Sequence, residues 1–205
     1  MTNKPQGDLR AQLRTKLRAA RRQLTPDQQQ QAAMKVSTHL LQQDYVQSAS
    51  TVAVYLASDG EIDLTPFIEQ LWLQSKLVVV PVISSQQQGK MCFVPYQAES
   101  ILVNNKYGIA EPAYSPENKI TLADIDVICV PLVGFDSNGQ RIGMGGGFYD
   151  RILAPWFEGQ LPHLQPVGVA HDCQYQANLP AATWDIPLPV VITPSKLWQF
   201  STPTV

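Results

Sequence analysis

Apolar residues near the start of the chain recur at three- and four-residue intervals: Leu9, Leu13, Leu17, Ala20 and Leu24. That spacing predicts an amphipathic helix over residues 8–24, with the intervening arginines and lysines on a basic outer face. Thr25-Pro26-Asp27-Gln28 predicts the start of a second helix. Thr25 can cap it, Pro26 fits the first turn, and Gln28 stands three residues on, where its side chain can reach back to the cap. Most other apolar residues fall in short runs: TVAVYLAS (51–58), KLVVVPVI (76–83), KMCFVPY (90–96), DVICVPLVGF (126–135), PVGVAH (166–171) and LPVVIT (188–193). Each reads as a strand, whereas LTPFIEQLWLQ (64–74) reads as a helix and residues 148–154 as the beginning of another. Strands of continuous apolarity are covered on both faces. The expected fold is therefore α/β, a layered and mostly parallel sheet flanked by helices. No internal repeat and no linker rich in proline and glycine divides the 205 residues, so one domain over 1–205 is expected, with the basic helix of residues 1–24 packed on it.

Composition narrows the function classes. No apolar run is long enough for a membrane span, and the first residues lack the apolar centre of a secretory signal. The three cysteines, Cys92, Cys129 and Cys173, are odd in number and form no CxxC pair, which argues against a disulfide framework or a zinc site. A reducing, cytoplasmic setting is expected. The net charge of −2 conceals an asymmetry: Lys4, Arg10, Arg14, Lys16, Arg18, Arg21 and Arg22 crowd the first 24 residues against Asp8 alone. A basic head suits nucleic acid, membrane phosphate or a nucleotide. The acidic remainder, and the lack of aromatics interleaved with basic residues, argue against nucleic acid. His39, His163 and His171 have no metal-ligand spacing, and Cys129 lies in a core strand.

The segment GFDSNGQRIGMGGGFYDR (134–151) is the most unusual, with five glycines between Gly139 and Gly147. Glycine costs conformational entropy, so such a cluster implies positive φ angles or a close approach to the backbone. The loop follows a buried strand and opens a helix, where ligands settle in open α/β sheets. Backbone N–H groups there could converge on an anion, Arg141 could fork onto phosphate oxygens, and Asp150 could hold Mg²⁺. A glycine-rich surface turn is the alternative. The P-loop pattern is absent, and GxGxxG read from Gly143 meets Phe148 at its third glycine.

This segment resembles the signature of the 5-formyltetrahydrofolate cyclo-ligases, also called methenyltetrahydrofolate synthetases, roughly FD..G.R[LI]G.GGG[YF]YDR. The resemblance extends to the basic head before LTP, to VAVYLASDGEID, to YGIAEP (107–112) and to the DCQ…LP…WD…VIT tail (172–193). It implies an architecture similar to ribose-phosphate isomerase and CoA-transferase domains. It also implies ATP- and Mg²⁺-dependent cyclisation of 5-formyltetrahydrofolate to 5,10-methenyltetrahydrofolate. A monomer with 5-formyltetrahydrofolate and ATP as partners, and without nucleic acid or membrane, is expected.

Position by position, the resemblance implies ATP binding by Arg10, Arg14, Arg141, Ile142, Gly143, Met144, Gly145, Gly146, Gly147, Phe148 and Tyr149. Arg141 and Tyr149 carry the catalytic roles. Folate contacts fall to Leu56, Glu61, Tyr107 and the Met144–Phe148 stretch, and magnesium to Asp150 and Asp185. Two departures stand out: Arg10 replaces the family lysine, and Phe148 replaces the common tyrosine. Without the resemblance, Asp185 reads as a turn or cap residue and Glu61 as a loop carboxylate. Tyr107 reads as a core or hinge residue, and Arg18, Arg21 and Arg22 read equally well as a solvated basic face.

Overall fold

The computed structural model describes residues 4–83, 91–104, 110–112 and 115–201. Helix α1 (Lys4–Arg22) is the helix expected from the leucine spacing, begun earlier. Thr25 caps α2 (Pro26–Leu41): its hydroxyl accepts from the Gln28 N–H, and the Gln28 side chain accepts from the Thr25 N–H. A short α3 (Asp44–Ser48) leads to β1 (Thr51–Ala53), α4 (Thr65–Leu73), β2 (Leu77–Ile83) and β3 (Met91–Pro95). The hairpin of β4 (Leu102–Asn104) and β5 (Ala110–Pro112) precedes β6 (Val127–Pro131). A second hairpin, β7 (Gly134–Phe135) with β8 (Arg141–Ile142), is followed by α5 (Phe148–Phe157), β9 (Gln165–Val169), β10 (Val190–Ile192) and β11 (Leu197–Gln199).

Seven strands form one sheet in the order β11-β10-β9-β6-β1-β2-β3. The inner neighbours pair in parallel, and β3 and β11 close the edges antiparallel, so the layered, mostly parallel α/β expectation holds. The period-two alternation of side chains explains why the runs are apolar throughout. Val78, Val80 and Val82 belong to a core shared with Val36 and Leu40 of α2 and Phe67 and Leu71 of α4. Val79, Ile128 and Val130 belong to the core that holds Leu153 of α5.

Several of the expected strands are shorter than their apolar runs, LPVVIT (188–193) among them, which pairs only through Val190–Ile192. The run from 51 to 58 pairs only through Thr51–Ala53. Its Val54 N–H still reaches the Val79 carbonyl at 2.9 Å, and the chain then leaves the sheet. The run from 126 to 135 breaks after Pro131, because the Val133 N–H donates to the Ile142 carbonyl at 2.7 Å and redirects the chain into the β7–β8 hairpin. The glycine loop consequently follows this hairpin rather than the buried strand itself. Apolarity records burial, and Val54, Tyr55, Leu132, Val133 and Phe135 remain buried off the seven-stranded sheet.

From β1 the chain builds β2 and β3 to one side, and from β6 it builds β9 and β10 to the other. The adjacent carboxyl ends of β1 and β6 thus mark a topological switch point, where connections diverge and leave a crevice. The hairpin beside it is held by Asp136, a fully buried carboxylate. Asp136 accepts from the N–H groups of Asn138 at 2.8 Å, Gln140 at 3.1 Å and Leu179 at 3.0 Å. Gly139 turns the hairpin at φ +74°, and a Cβ there would lie 2.4 Å from the Leu188 carbonyl oxygen. Gly139→Ala is therefore expected to cost about 2 kcal/mol through the left-handed backbone and the clash. Thermal unfolding should detect this as a Tm lower by roughly 4–8 °C. An unchanged Tm would show that the turn can accept a side chain.

Candidate active site

A cleft of about 830 Å³ opens at the switch point. Tyr55 and Leu56 enter it just beyond β1, Pro81 and Ile83 from β2, and Pro131 and Leu132 from the end of β6. Helix α1 contributes Arg10, Arg14 and Arg18; the Asp59–Glu61 turn contributes its two carboxylates; Met91 of β3, Glu111 of β5, and Trp184 and Asp185 from the C-terminal part add to the lining. The remaining wall is the glycine loop with the first residues of α5.

Nearly all the residues expected from the sequence meet here. Leu56, Glu61, Arg10, Arg14, Arg141 and Asp185 line the cleft, as do Gly143, Met144, Gly145, Gly146, Gly147, Phe148, Tyr149 and Asp150. Ile142 does not: its side chain is fully buried, and its carbonyl holds the Val133 N–H. Tyr107 lies outside the described residues. The cleft also contains residues that sequence reasoning left open or passed over, among them Arg18, Tyr55, Ser58, Asp59 and Trp184. Arg18 carried a usable signal, being one further four-residue step after Arg10 and Arg14 along the same helical face.

The expected basic outer face of α1 needs correction. Arg10, Arg14 and Arg18 face the cleft and Arg21 is fully buried, whereas Leu9 is 47% exposed. Leu17, at 1% exposure, anchors the helix against Gly134 of the β7–β8 hairpin. The guanidiniums turn inward because distant segments supply acceptors for their planar forks. Arg10 grips both carboxylate oxygens of Asp185, at 2.5 and 3.0 Å, and the Pro180 carbonyl at 2.8 Å. Arg14 donates through Nε to the Gly143 carbonyl at 2.8 Å, tying α1 to the glycine loop. Arg18, Arg21 and Arg22 converge on Asp59. Burial pushes the Asp59 carboxyl up, but these hydrogen bonds outweigh it and hold the pKa at about 2.

Two guanidiniums are less fully compensated. Arg141 has 2% of its side chain exposed and donates to Asp150 at 2.6 Å, while its Nε has no hydrogen-bond partner. Burial lowers its pKa, against the opposing pull of Asp150 and Asp185. Burial and the neighbouring Arg10 likewise lower the pKa of Arg14, with Asp185 opposing. An arginine stays charged under such shifts, so Arg141, buried and with its Nε unpartnered, is well placed to receive further negative charge, whereas the half-buried Arg14 keeps part of its hydration.

The loop between these arginines explains its own composition. Gly145 at φ +101° and Gly147 at φ +63° occupy backbone conformations that side chains disfavour, and a Cβ on Gly146 would lie 2.8 Å from the Phe148 ring. At the other end, Glu61 accepts from the Ser58 N–H at 3.1 Å, and burial pushes its carboxyl up while Arg21 and Ser58 oppose. Burial also raises the Tyr149 pKa, so its hydroxyl stays protonated and serves as a neutral hydrogen-bonding group.

Among the described residues, no group of three or more His, Cys, Asp and Glu side chains could hold a metal ion. Asp150 and Asp185 each face an arginine, so they fit Mg²⁺ only as one or two carboxylates supplementing phosphate and water oxygens. None of the three histidines lines the cleft. Burial holds His171 down at a pKa of about 4 and pushes the Cys129 thiol up to about 12, as befits core positions. No helix among the described residues is long and apolar enough to cross a membrane.

The profile of the 5-formyltetrahydrofolate cyclo-ligase family matches residues 6–194. A relative named 5-formyltetrahydrofolate cyclo-ligase from Escherichia coli is 47% identical over 184 residues, covering 90% of this chain and 100% of the relative. One of the same name from Haemophilus influenzae is 40% identical over 179 residues, covering 87% and 94%. Among solved structures, Aquifex aeolicus 5,10-methenyltetrahydrofolate synthetase superposes with a TM-score of 0.79 at 28% identity, over 96% of this chain and 95% of that one. The agreement runs from the arginine helix through the glycine loop to the Asp185 segment, and on it the chain belongs to the 5-formyltetrahydrofolate cyclo-ligase family.

Proposed function

We propose that the cleft binds ATP and 5-formyltetrahydrofolate together and closes the folate to 5,10-methenyltetrahydrofolate, releasing ADP and phosphate. The observation that carries this reading is the buried Arg141, whose Nε has no hydrogen-bond partner, together with the half-buried Arg14 on the cleft wall, both beside a loop that carries Met144 as its one side chain among four glycines. A polyphosphate matches that environment better than any neutral ligand, since charge-assisted hydrogen bonds to phosphate gain strength away from water. Arg10 and the backbone of Gly143–Gly147 complete the nucleotide end. The family and its named relatives supply the reaction; the geometry supports how this chain would perform it.

A formamide carbonyl is a weak electrophile and its oxygen a poor leaving group. Attack of the formyl oxygen on the γ-phosphorus breaks the bond to the bridging oxygen of ADP and leaves an iminium phosphate. The neighbouring N10 then attacks the former formyl carbon, the ring closes, and the C–O bond breaks to release phosphate. N10 gives up its proton, and the methenyl cation remains. Little covalent chemistry is asked of the protein; its work is positioning and charge neutralisation. Arg141 stands where it can neutralise the transferring group, with the neutral Tyr149 hydroxyl beside it. Mg²⁺ bound with the nucleotide would supply further charge neutralisation on the phosphate oxygens, held by Asp150 and Asp185. Leu56, Met144 and Phe148 offer apolar contact to the folate, and Glu61 can accept hydrogen bonds from N–H groups on a pterin edge.

The direct test is turnover: purified protein with ATP, Mg²⁺ and 5-formyltetrahydrofolate should generate the absorbance of the methenyl product, and no product under saturating conditions would overturn the reading. Arg14→Ala should raise the KM for ATP about tenfold or more, from the loss of one charged hydrogen-bonding group, while the folate KM moves by less than about twofold. The reverse pattern would remove Arg14 from the nucleotide end.

A further inference from the structure

Arg21 lies next to the proposed folate end yet does not line the cleft. No part of its side chain is exposed, and every nitrogen is engaged. Nε donates to the Asp59 carbonyl at 2.8 Å, Nη1 to the Leu132 carbonyl at 3.1 Å, and Nη2 to the Asp59 carboxylate at 3.0 Å. Nη2 also stands 3.6 Å from the Glu61 carboxylate, whose side chain is 12% exposed. A guanidinium withdrawn from water in this way is costly unless its partners are well placed. Here they come from two segments distant in sequence, the turn after β1 and the exit from β6.

The turn itself is unusual. Asp59 adopts φ +54° and Gly60 φ +76°, so two consecutive residues are left-handed immediately before Glu61. A non-glycine residue in that region carries roughly 1 kcal/mol or more of strain and persists where surrounding contacts fix it. Arg18 and Arg22 hold only the Asp59 side chain, whereas Arg21 also holds the Asp59 backbone and faces Glu61.

We propose that Arg21 is a positioning residue for folate, holding Glu61 in place and ionised from behind the cleft wall and so coupling α1 to the folate end as well as to the nucleotide. The proposal rests on the folate reading of the cleft. Glu61 is faced by Arg21 and Arg18 from α1, by Asp59 and Ser58 within its own turn, by Tyr55 beyond β1 and by Tyr149 from α5. Burial raises the Glu61 carboxyl and Arg21 is the largest opposing influence. Removing the guanidinium therefore raises it further, and the carboxylate is lost at a higher pH as the solution is acidified.

The test uses the full chain with ATP, Mg²⁺ and 5-formyltetrahydrofolate, comparing wild type, Arg21→Met, Arg21→Lys, Glu61→Gln and the Arg21→Met/Glu61→Gln double variant. Arg21→Met should raise the folate KM about tenfold, equivalent to one strong charged contact, and leave the ATP KM within about twofold. The acid limb of kcat/KM for folate should move to higher pH. Arg21→Lys should raise the folate KM less and leave that limb where it is, because charge is kept while the fork is lost. In the Glu61→Gln background, Arg21→Met should change the folate KM less than about twofold, as expected for a residue acting through Glu61.

Equal increases in both KM values, an unmoved acid limb in Arg21→Met, or full additivity with Glu61→Gln would each overturn the proposal. If Arg21→Met does not fold, Arg21→Lys decides alone: a raised folate KM at constant ATP KM supports positioning by the fork, and an unchanged folate KM refutes it. Wild-type turnover without these signatures sinks this inference and leaves the functional reading standing; absence of wild-type turnover overturns both.

Discussion

A guanidinium taken out of water must be met by negative charge or by carbonyl oxygens, and this requirement organises the cleft. Helix α1 turns its arginines toward the sheet, and each inward arginine is received by a segment far away in sequence: Asp185 for Arg10, Gly143 for Arg14, the Asp59 turn for Arg18 and Arg21. Exposed ion pairs contribute little, but breaking one partner of a buried pair leaves a charge stranded, typically costing several kcal/mol. The helix, the glycine loop and the two carboxylate segments are therefore held in register by one row of side chains, Arg10 and Arg14 at the proposed nucleotide end and Arg18 and Arg21 at the Asp59 turn. Compensation is more complete around Asp59 than around Arg14 and Arg141, and that difference separates a structural anchor from a binding site.

The sheet supplies the place and the hairpin supplies the precision. Strand order opens the crevice between β1 and β6, where the carboxyl ends of adjacent parallel strands diverge. The β7–β8 hairpin then displaces the glycine loop from the strand end and fixes its start through the buried Asp136 carboxylate. Because α1 packs on this hairpin through Leu17, the arginine helix and the loop share one support. Loss of geometry in the hairpin should reach both sides of the nucleotide end together.

Much of this was legible in the sequence for identifiable reasons. Continuous valine and isoleucine runs encode strands covered on both faces, and Thr25 with Gln28 encodes a helix start by local hydrogen bonding alone. Local patterns could not say where pairing stops. Val54 and Val133 are as apolar as their neighbours in the sheet, yet Val54 begins the exit from it and the Val133 N–H is claimed by the hairpin. The arginine face was misread for a related reason: helical spacing puts Arg10, Arg14 and Arg18 on one face, but whether that face meets water depends on Asp59, Gly143 and Asp185. Arg21 carried no signal at all, since its burial follows from the Asp59 turn and the Leu132 carbonyl. The glycine motif was the reverse case, a short segment whose backbone demands and chemistry coincide.

The central claim is that one cleft brings the γ-phosphate of ATP into bonding contact with the formyl oxygen of the folate. The most direct measurement is the fate of that oxygen. With 5-formyltetrahydrofolate labelled by oxygen-18 in the formyl group, mass spectrometry of the products should find the label in the released inorganic phosphate. Methenyl product formed with unlabelled phosphate, the heavy oxygen passing instead to water, would contradict the account.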